Sequence, residues 1–287
     1  MLNKIGKRLT IILLSVGGGL LALGFIINMI VLGINGFDIN KAYGTKENMH
    51  EEKIIGEIKE INIDVAEADI NIYEANDGSS GRVVFLDSYN IYHTLSVNNG
   101  ILRIERKSKT GWMQIFVPSF LSKMSIDIYL PKVDEYNNIQ INSVSGDLKI
   151  NTSLNSKGIA LSMTSGDISI NELKGDLGVK NVSGDIVINS SAGGSINLET
   201  VSGSINIMDS SYNSTRAKSV SGDIRLNGEF KNNLNAEAVS GDIILECKNP
   251  IEVSANTRGN ITLPSNNSGE AKARLKSVSG NIRAGLI

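Results

Sequence analysis

Apolar and polar positions alternate with period two along most of this chain, as in "EIKEINIDVAEADINIYEA" over 57–75 and "NVSGDIVIN" over 181–189. Alternation of β-branched with polar residues predicts half-buried strands. In the second half the alternation is also a repeat. Aligned on glycine, the copies carry Gly146, Gly166, Gly184, Gly203, Gly222, Gly241, Gly259 and Gly280, with gaps of 20, 18, 19, 19, 19, 18 and 21 residues. Two residues after the glycine stand Leu148, Ile168, Ile186, Ile205, Ile224, Ile243, Ile261 and Ile282. Two residues before it the column is β-branched throughout, from Val144 and Thr164 to Val278. A helix is excluded, because the period is wrong and a Gly flanked by Ser and Asp interrupts every copy.

A unit of about 19 residues cannot bury its own apolar face, so neighbouring copies must stack and share a core. One copy per coil, with columns in register, predicts an all-β parallel β-solenoid (β-helix). Coils stacked about 4.8 Å apart make eight of them a rod on the order of 35–40 Å long. In this reading Val182, Ile186 and Ile188 face the core, and Ser183-Gly184-Asp185 turn the chain.

The regular repeats span 139–287. Residues 54–138 carry strands on a looser ruler and read as irregular N-terminal coils, with Asn99-Gly100 marking a tight turn. Residues 35–53 show no periodicity and read as a linker. Ahead of it no charge appears between Arg8 and Asp38, and 9–34 is long enough for one transmembrane α-helix. Lys4, Lys7 and Arg8 precede it, which places residues 1–8 in the cytoplasm as a short tail and the rest outside. The apolar run exceeds that of a cleaved signal peptide and lacks an Ala-x-Ala site. The expected location is the cell membrane, single-pass, with the C-terminal domain extracytoplasmic. Ser15/Gly19 and Gly18/Ala22 form small-xxx-small pairs that favour helix packing.

Composition adds limits. The net charge of −2 gives no global field for nucleic acid. The single cysteine, Cys247, permits no intrachain disulfide, so stacking alone must hold the domain. Its position just after Leu245 suggests a small residue near a coil corner rather than a reactive thiol.

The residue following each glycine runs Asp147, Asp167, Asp185, Ser204, Asp223, Asp242, Asn260 and Asn281. Calcium needs six to eight oxygens from a compact loop, and this column offers one carboxylate per coil. Glycan cleavage needs two individually tuned carboxylates, and a uniform column distinguishes none. His50 and His93 lie outside the repeat, leaving no local Ser-His-Asp set. Asp, Asn and Ser share the ability to bond backbone N–H groups in a turn, and glycine supplies conformations closed to other residues. The column is therefore read as structural, with no catalytic residue, cofactor or metal.

Nine of the fourteen aromatic residues fall between Tyr73 and Tyr136. Within "KTGWMQIFVPSFLSKM" (109–124), Trp112, Phe116 and Phe120 read as a lid over the first coil or as a membrane or partner contact. At the other end the chain stops seven residues past Gly280 without a polar cap, so the last coil is expected to leave an open edge for another protein, a second copy or a wall component.

Together, "INIDVAEADINIYE", "GILRIERK", "SIDIYLPK", "IQINSVSGDLKI" and the serial "VSGDI" units resemble the bacterial putative-adhesin domain-of-unknown-function family, over roughly 54–287. The resemblance implies an anchored extracytoplasmic β-solenoid, some relatives of which stand near cell-wall stress responses, and it brings no catalytic residues. The function expected is a non-enzymatic, membrane-anchored adhesin or envelope-binding protein. The alternative is an accessory or sensory component of an envelope stress-response system. Expected partners are the membrane, through the anchor, and a cell-wall component or another envelope protein, with self-association open and nucleic acid excluded.

Overall fold

The apolar columns found in the sequence become continuous ladders. Ile70, Leu148, Ile168, Ile186, Ile205, Ile224, Ile243 and Ile282 pair in register from coil to coil, and all are buried. Each buried side chain of this size contributes roughly 1.5–3 kcal/mol. The computed structural model describes residues 29–30, 33–34, 36, 47–75, 81–88, 91–108 and 123–287. From residue 47 onward its regular elements are all strands.

The N-terminal part contains β1 (Glu47–Lys53), β2 (Glu60–Asp64), β3 (Asp69–Glu74), β4 (Arg82–Ser88), β5 (Ile91–Asn98), β6 (Ile101–Ser108) and β7 (Ser125–Leu130). The regular coils follow as β8 (Asn138–Ser143), β9 (Leu148–Ile150), β10 (Leu154–Ser165), β11 (Ile168–Asn171), β12 (Leu173–Ser183), β13 (Ile186–Asn189), β14 (Ala192–Ser202), β15 (Ile205–Ser221), β16 (Ile224–Ser240) and β17 (Ile243–Cys247). The chain ends with β18 (Ile251–Asn256), β19 (Ile261–Thr262), β20 (Ala271–Ser279) and β21 (Ile282–Leu286).

Two principal walls result. The first runs β6–β2–β8–β10–β12–β14–β15–β16–β20–β18, all parallel. The second runs β7–β3–β9–β11–β13–β15–β16–β17–β21–β19, likewise parallel. The long strands β15 and β16 bend through both walls and through a short third one, where Tyr212 pairs with Phe230 inside the core. The all-β solenoid expected from the repeat is thus present.

Four features depart from the sequence reading. First, coil order in space differs from coil order in sequence at both ends. The β2/β3 coil lies between β6/β7 and β8/β9, and the β20/β21 coil lies between β16/β17 and β18/β19. The C-terminal strand is therefore interior, and β18/β19 is outermost. The physical reason lies in the turn: the β20/β21 coil keeps the complete Ser-Gly corner, whereas the β18/β19 coil has lost the serine before Gly259.

Second, this outermost coil does carry a polar cap. The Asn267 side chain accepts from Val253 N at 2.7 Å and donates to Val253 O at 3.0 Å, as a paired strand would. Third, the column two before glycine faces outward: Val182 is 49% exposed. Along β12 the inward residues are Leu173, Leu177, Val179 and Asn181, and the corner between Asn181 and Ile186 shifts the alternation by one. Fourth, 47–53, taken above for linker, forms β1 and pairs antiparallel with β4. The anchor expected at 9–34 lies almost wholly outside the described residues. Among the described residues no helix is long and apolar enough to cross a membrane.

Candidate functional site

The carboxylate column resolves into a chain of backbone acceptors. Asp147 N donates to Asp69 Oδ1 at 2.9 Å, Asp167 N to Asp147 Oδ1 at 3.0 Å and Asp185 N to Asp167 Oδ1 at 2.8 Å. Ser204 N then donates to Asp185 Oδ1 at 2.7 Å, Asp242 N to Asp223 Oδ1 at 2.9 Å and Asn281 N to Asp242 Oδ1 at 2.6 Å. The last rung, Asn260 N to Asn281 Oδ1, is 3.1 Å and shows that an amide does the same work. Asp69, Asp147, Asp167, Asp185, Asp223, Asp242 and Asn281 thus each bind the amide of the next coil, as a charge-assisted bond where the residue is Asp, and the run is broken at Ser204. Asp69 begins this ladder, and its place was hidden because its coil lacks the glycine.

The glycines are held by a steric limit. At Gly166 (φ 120°) and Gly184 (φ 122°) a Cβ would stand 2.0 and 2.2 Å from the carbonyl oxygen of the preceding turn glycine. The same close approach recurs at Gly146, Gly203, Gly222, Gly241, Gly259 and Gly280. Behind them runs a buried polar column absent from the sequence reading. Asn181 Nδ2 donates to Gly166 O, Ser219 Oγ to Gly203 O, Ser277 Oγ to Gly241 O and Thr257 Oγ1 to Gly280 O. Asn181, Ser219 and Ser277 stand three before Gly184, Gly222 and Gly280, and half-buried Thr257 two before Gly259; Met163 and Ala238 take the place ahead of Gly166 and Gly241, so the signal in the sequence is interrupted.

A second cluster forms where β1, β4 and β5 cap the first coils. His93 Nδ1 lies 2.6 Å from Asp87 Oδ1, and His93 N donates to Asp87 Oδ2 at 2.9 Å; both side chains are buried. His50 Nδ1 approaches Asp87 Oδ2 at 3.8 Å and stacks on Phe85 with ring centroids 4.9 Å apart. The two histidines, distant in sequence, thus meet at one carboxylate. Ser88 Oγ is engaged with the Ile91 backbone, so the hydroxyl beside this pair serves the β4–β5 turn. The arrangement ties β1 and β5 to β4 through the Asp87 carboxylate. Among the described residues no group of three His, Cys, Asp or Glu is placed to hold a metal ion.

Cys247 is buried, pairs in register with Gly228 and Leu286, and ends β17 directly before the bend at Lys248 and Asn249. Burial pushes its thiol pKa up, and Sγ contacts Asn249 Oδ1 at 3.2 Å. Trp112, Phe116 and Phe120 fall outside the described residues. The outer face of the first wall carries a groove of about 430 Å³ lined in part by Arg216, Asn235, Glu252, Lys272 and Arg274. Beside it Lys218 lies 3.0 Å from Glu237 and, with Asn235, holds that carboxyl below the usual carboxylate range.

Comparison with known proteins fits this geometry. The Toastrack DUF4097 family model matches residues 58–285. The chain belongs to the Toastrack DUF4097 family. Its match takes in every coil of both walls and leaves out β1. Among solved structures, this Toastrack chain is similar to a putative adhesin from Bacteroides fragilis NCTC 9343, at 18% identity and TM-score 0.53, covering 84% of this chain and 97% of that one. A putative adhesin from Parabacteroides distasonis ATCC 8503 gives 15% identity and TM-score 0.55 over 83% and 97%. A putative lipid binding protein from the same organism gives 16% and 0.50 over 84% and 97%. At such identities the likeness shows the fold. No curated protein matches the chain.

Proposed function

We propose that this Toastrack chain is a non-enzymatic envelope protein, anchored by its N-terminal apolar segment, that presents a rigid β-solenoid outside the cell as an adhesin. The observation that carries the reading is the fate of the repeat's chemistry. Its carboxylates accept backbone N–H groups of neighbouring coils, so the most regular polar column serves stacking. What the rod offers to other molecules is its outer faces. Two fold neighbours with TM-scores above 0.5 bear the name putative adhesin, which supports the same reading. The apolar run over 9–34, behind Lys4, Lys7 and Arg8, supports anchoring with the solenoid outside.

The expected partner is a cell-wall component or another envelope protein. Full-length protein expressed in bacteria should be cleaved by protease added to intact cells, leaving a membrane-bound N-terminal fragment. Purified in detergent, it should be retained by cell-wall material. Protection from external protease together with absence from the membrane fraction would overturn the anchored reading, and loss of all cell-wall and surface retention would overturn the adhesive one.

A further inference from the structure

We infer that the outer face of the first wall is a self-complementary surface on which two copies of this chain pair with their rods antiparallel. Two columns on that face carry the inference. The first is apolar: Val182, Val201, Val220, Val239 and Val278 occupy successive coils, each between 40% and 49% exposed. Their neighbours pair in register from Ser183 to Ser202, Ser221, Ser240 and Ser279, so the five valines form one unbroken stripe. With Val144 and Thr164 ahead of it, the stripe spans six coil spacings, roughly 29 Å. Isolated apolar residues on a surface need no explanation, but a continuous row of them marks a contact surface.

The second column lies two residues away on the same face. Lys180, Glu199, Lys218, Glu237 and Lys276 pair in that order, so charge alternates at every coil. Within the chain Lys218 and Glu237 form an ion pair. Among the described residues Lys180, Glu199 and Lys276 form none. A row of alternating charge meets an inverted copy of itself without conflict only when the two-fold axis lies between coils. Placed between the Val220 and Val239 coils, along the strand direction, that axis sets Glu199 against the partner's Lys276 and Lys218 against the partner's Glu237. It also sets Val220 on the partner's Val239 and Val201 on the partner's Val278.

The third column on this face also fits. Arg216, Asn235 and Arg274 pair in register, and the same axis places Arg216 against the partner's Asn235 and Arg274 against the partner's Asn197, so no guanidinium meets another. Parallel pairing with the two charged columns face to face would bring Lys against Lys and Glu against Glu at every coil. The charges therefore select the antiparallel arrangement, since like charges across an interface act as a specificity barrier. A face of about seven coils by seven residues is roughly 34 by 23 Å, on the order of the 800 Å² per partner of a standard interface. Where each rod is anchored at one end, antiparallel pairing joins copies on facing surfaces. That last consequence rests on the proposed function; the pairing itself does not.

Sedimentation equilibrium of the full-length chain in detergent tests the pairing. The wild type should be dimeric at micromolar concentration, and Glu199→Lys should weaken the dimer by about tenfold or more. Adding Lys276→Glu should restore it. Glu199 and Lys276 stand three coils apart within one chain, roughly 14 Å, so rescue reports a contact between chains. Orientation is read by oxidising Val201→Cys and Val278→Cys, alone and mixed, with Cys247 buried and silent. Crosslinking in the 1:1 mixture but in neither variant alone is expected. A monomer at all concentrations, a Glu199→Lys dimer of unchanged strength, failure of the double variant to recover, or crosslinking of Val201→Cys by itself would each overturn the inference. None of these outcomes bears on cell-wall retention, which tests the function separately.

Discussion

Replacing Gly184 with alanine isolates the contact that sets the coil spacing. The added Cβ would sit 2.2 Å from Gly166 O and 2.6 Å from Gly166 C, both backbone atoms unable to swing aside. The left-handed φ of 122° adds a conformational cost of about 1–2 kcal/mol for a residue with a Cβ. Relieving the contact requires the two coils to separate locally by about 1 Å, taking the oxygen to an ordinary van der Waals distance. Among the bonds that cross that gap are Gly166 N to Ser183 O at 3.0 Å, Ile168 N to Asp185 O at 2.9 Å and Asp185 N to Asp167 Oδ1 at 2.8 Å. Weakening two neutral bonds and one charge-assisted bond costs about 2–4 kcal/mol more. The expected loss is therefore about 4 kcal/mol, read as a shift in the urea midpoint followed by circular dichroism. Gly285→Ala is the control, because nothing lies within 4 Å of its Cβ position, and it should change stability by less than about 0.5 kcal/mol. Hydrogen exchange should rise first at the amides of Gly166 and Asp185. A Gly184→Ala loss below about 1 kcal/mol, or one equal to that of Gly285→Ala, would refute the view that stacking contact rather than turn flexibility demands glycine.

The same ladder makes Asp185→Asn nearly neutral, because an amide oxygen still accepts from Ser204 N as Asn281 does from Asn260 N, while Asp185→Ala should cost about 1 kcal/mol in the same urea assay. Cys247 should resist a maleimide at pH 8 in the native protein and react at once in urea, since burial raises its pKa and excludes the reagent. Burial pushes the Tyr136 phenol, which donates to Pro131 O, up to about 12, so the unfolded chain ionises first as pH rises. Its contribution of about 2–3 kcal/mol is intact below pH 10 and lost between about pH 10 and 12, and Tyr136→Phe should flatten that part of the alkaline stability curve.

How much of this was legible depended on whether a residue's role was local or relational. Ile186 and Ile188 announce a strand with one buried face, because period two is a property of the strand alone. Gly184 and Asp185 announce a turn for the same reason. The outward turn of Val182 was misread because the phase of alternation changes at the corner, and no residue between Asn181 and Ile186 signals by type how many positions the corner consumes. His50 and His93 looked incidental since nothing in their neighbourhoods reveals Asp87 as a shared partner. That meeting depends on β1 pairing antiparallel with β4 and on β5, which pairs with β6, bringing His93 beside Asp87, an arrangement that the repeat does not encode.

Coil order was the least legible feature, and it bears on how a solenoid ends. A register rule says which columns align but not which neighbour a coil takes, because β17 and β21 present the same Ile–x–Leu/Ala face. Quality of the corner then decides. The β20/β21 coil has Ser279, Gly280 and Asn281 and can be stacked on both sides, so it occupies the interior; the β18/β19 coil, with Arg258 directly before Gly259, is stacked on one side only. Sending the defective coil outward puts the backbone of buried Val253 on the outer edge, where Asn267 supplies both a donor and an acceptor. The opposite end uses the same device, with β2/β3 inserted and β4 and β5 laid antiparallel over the outer coil. Asn267 thus blunts the β18 edge, and β4 and β5 cover the outer coil at the other end, each hindering edge-to-edge growth at those strands.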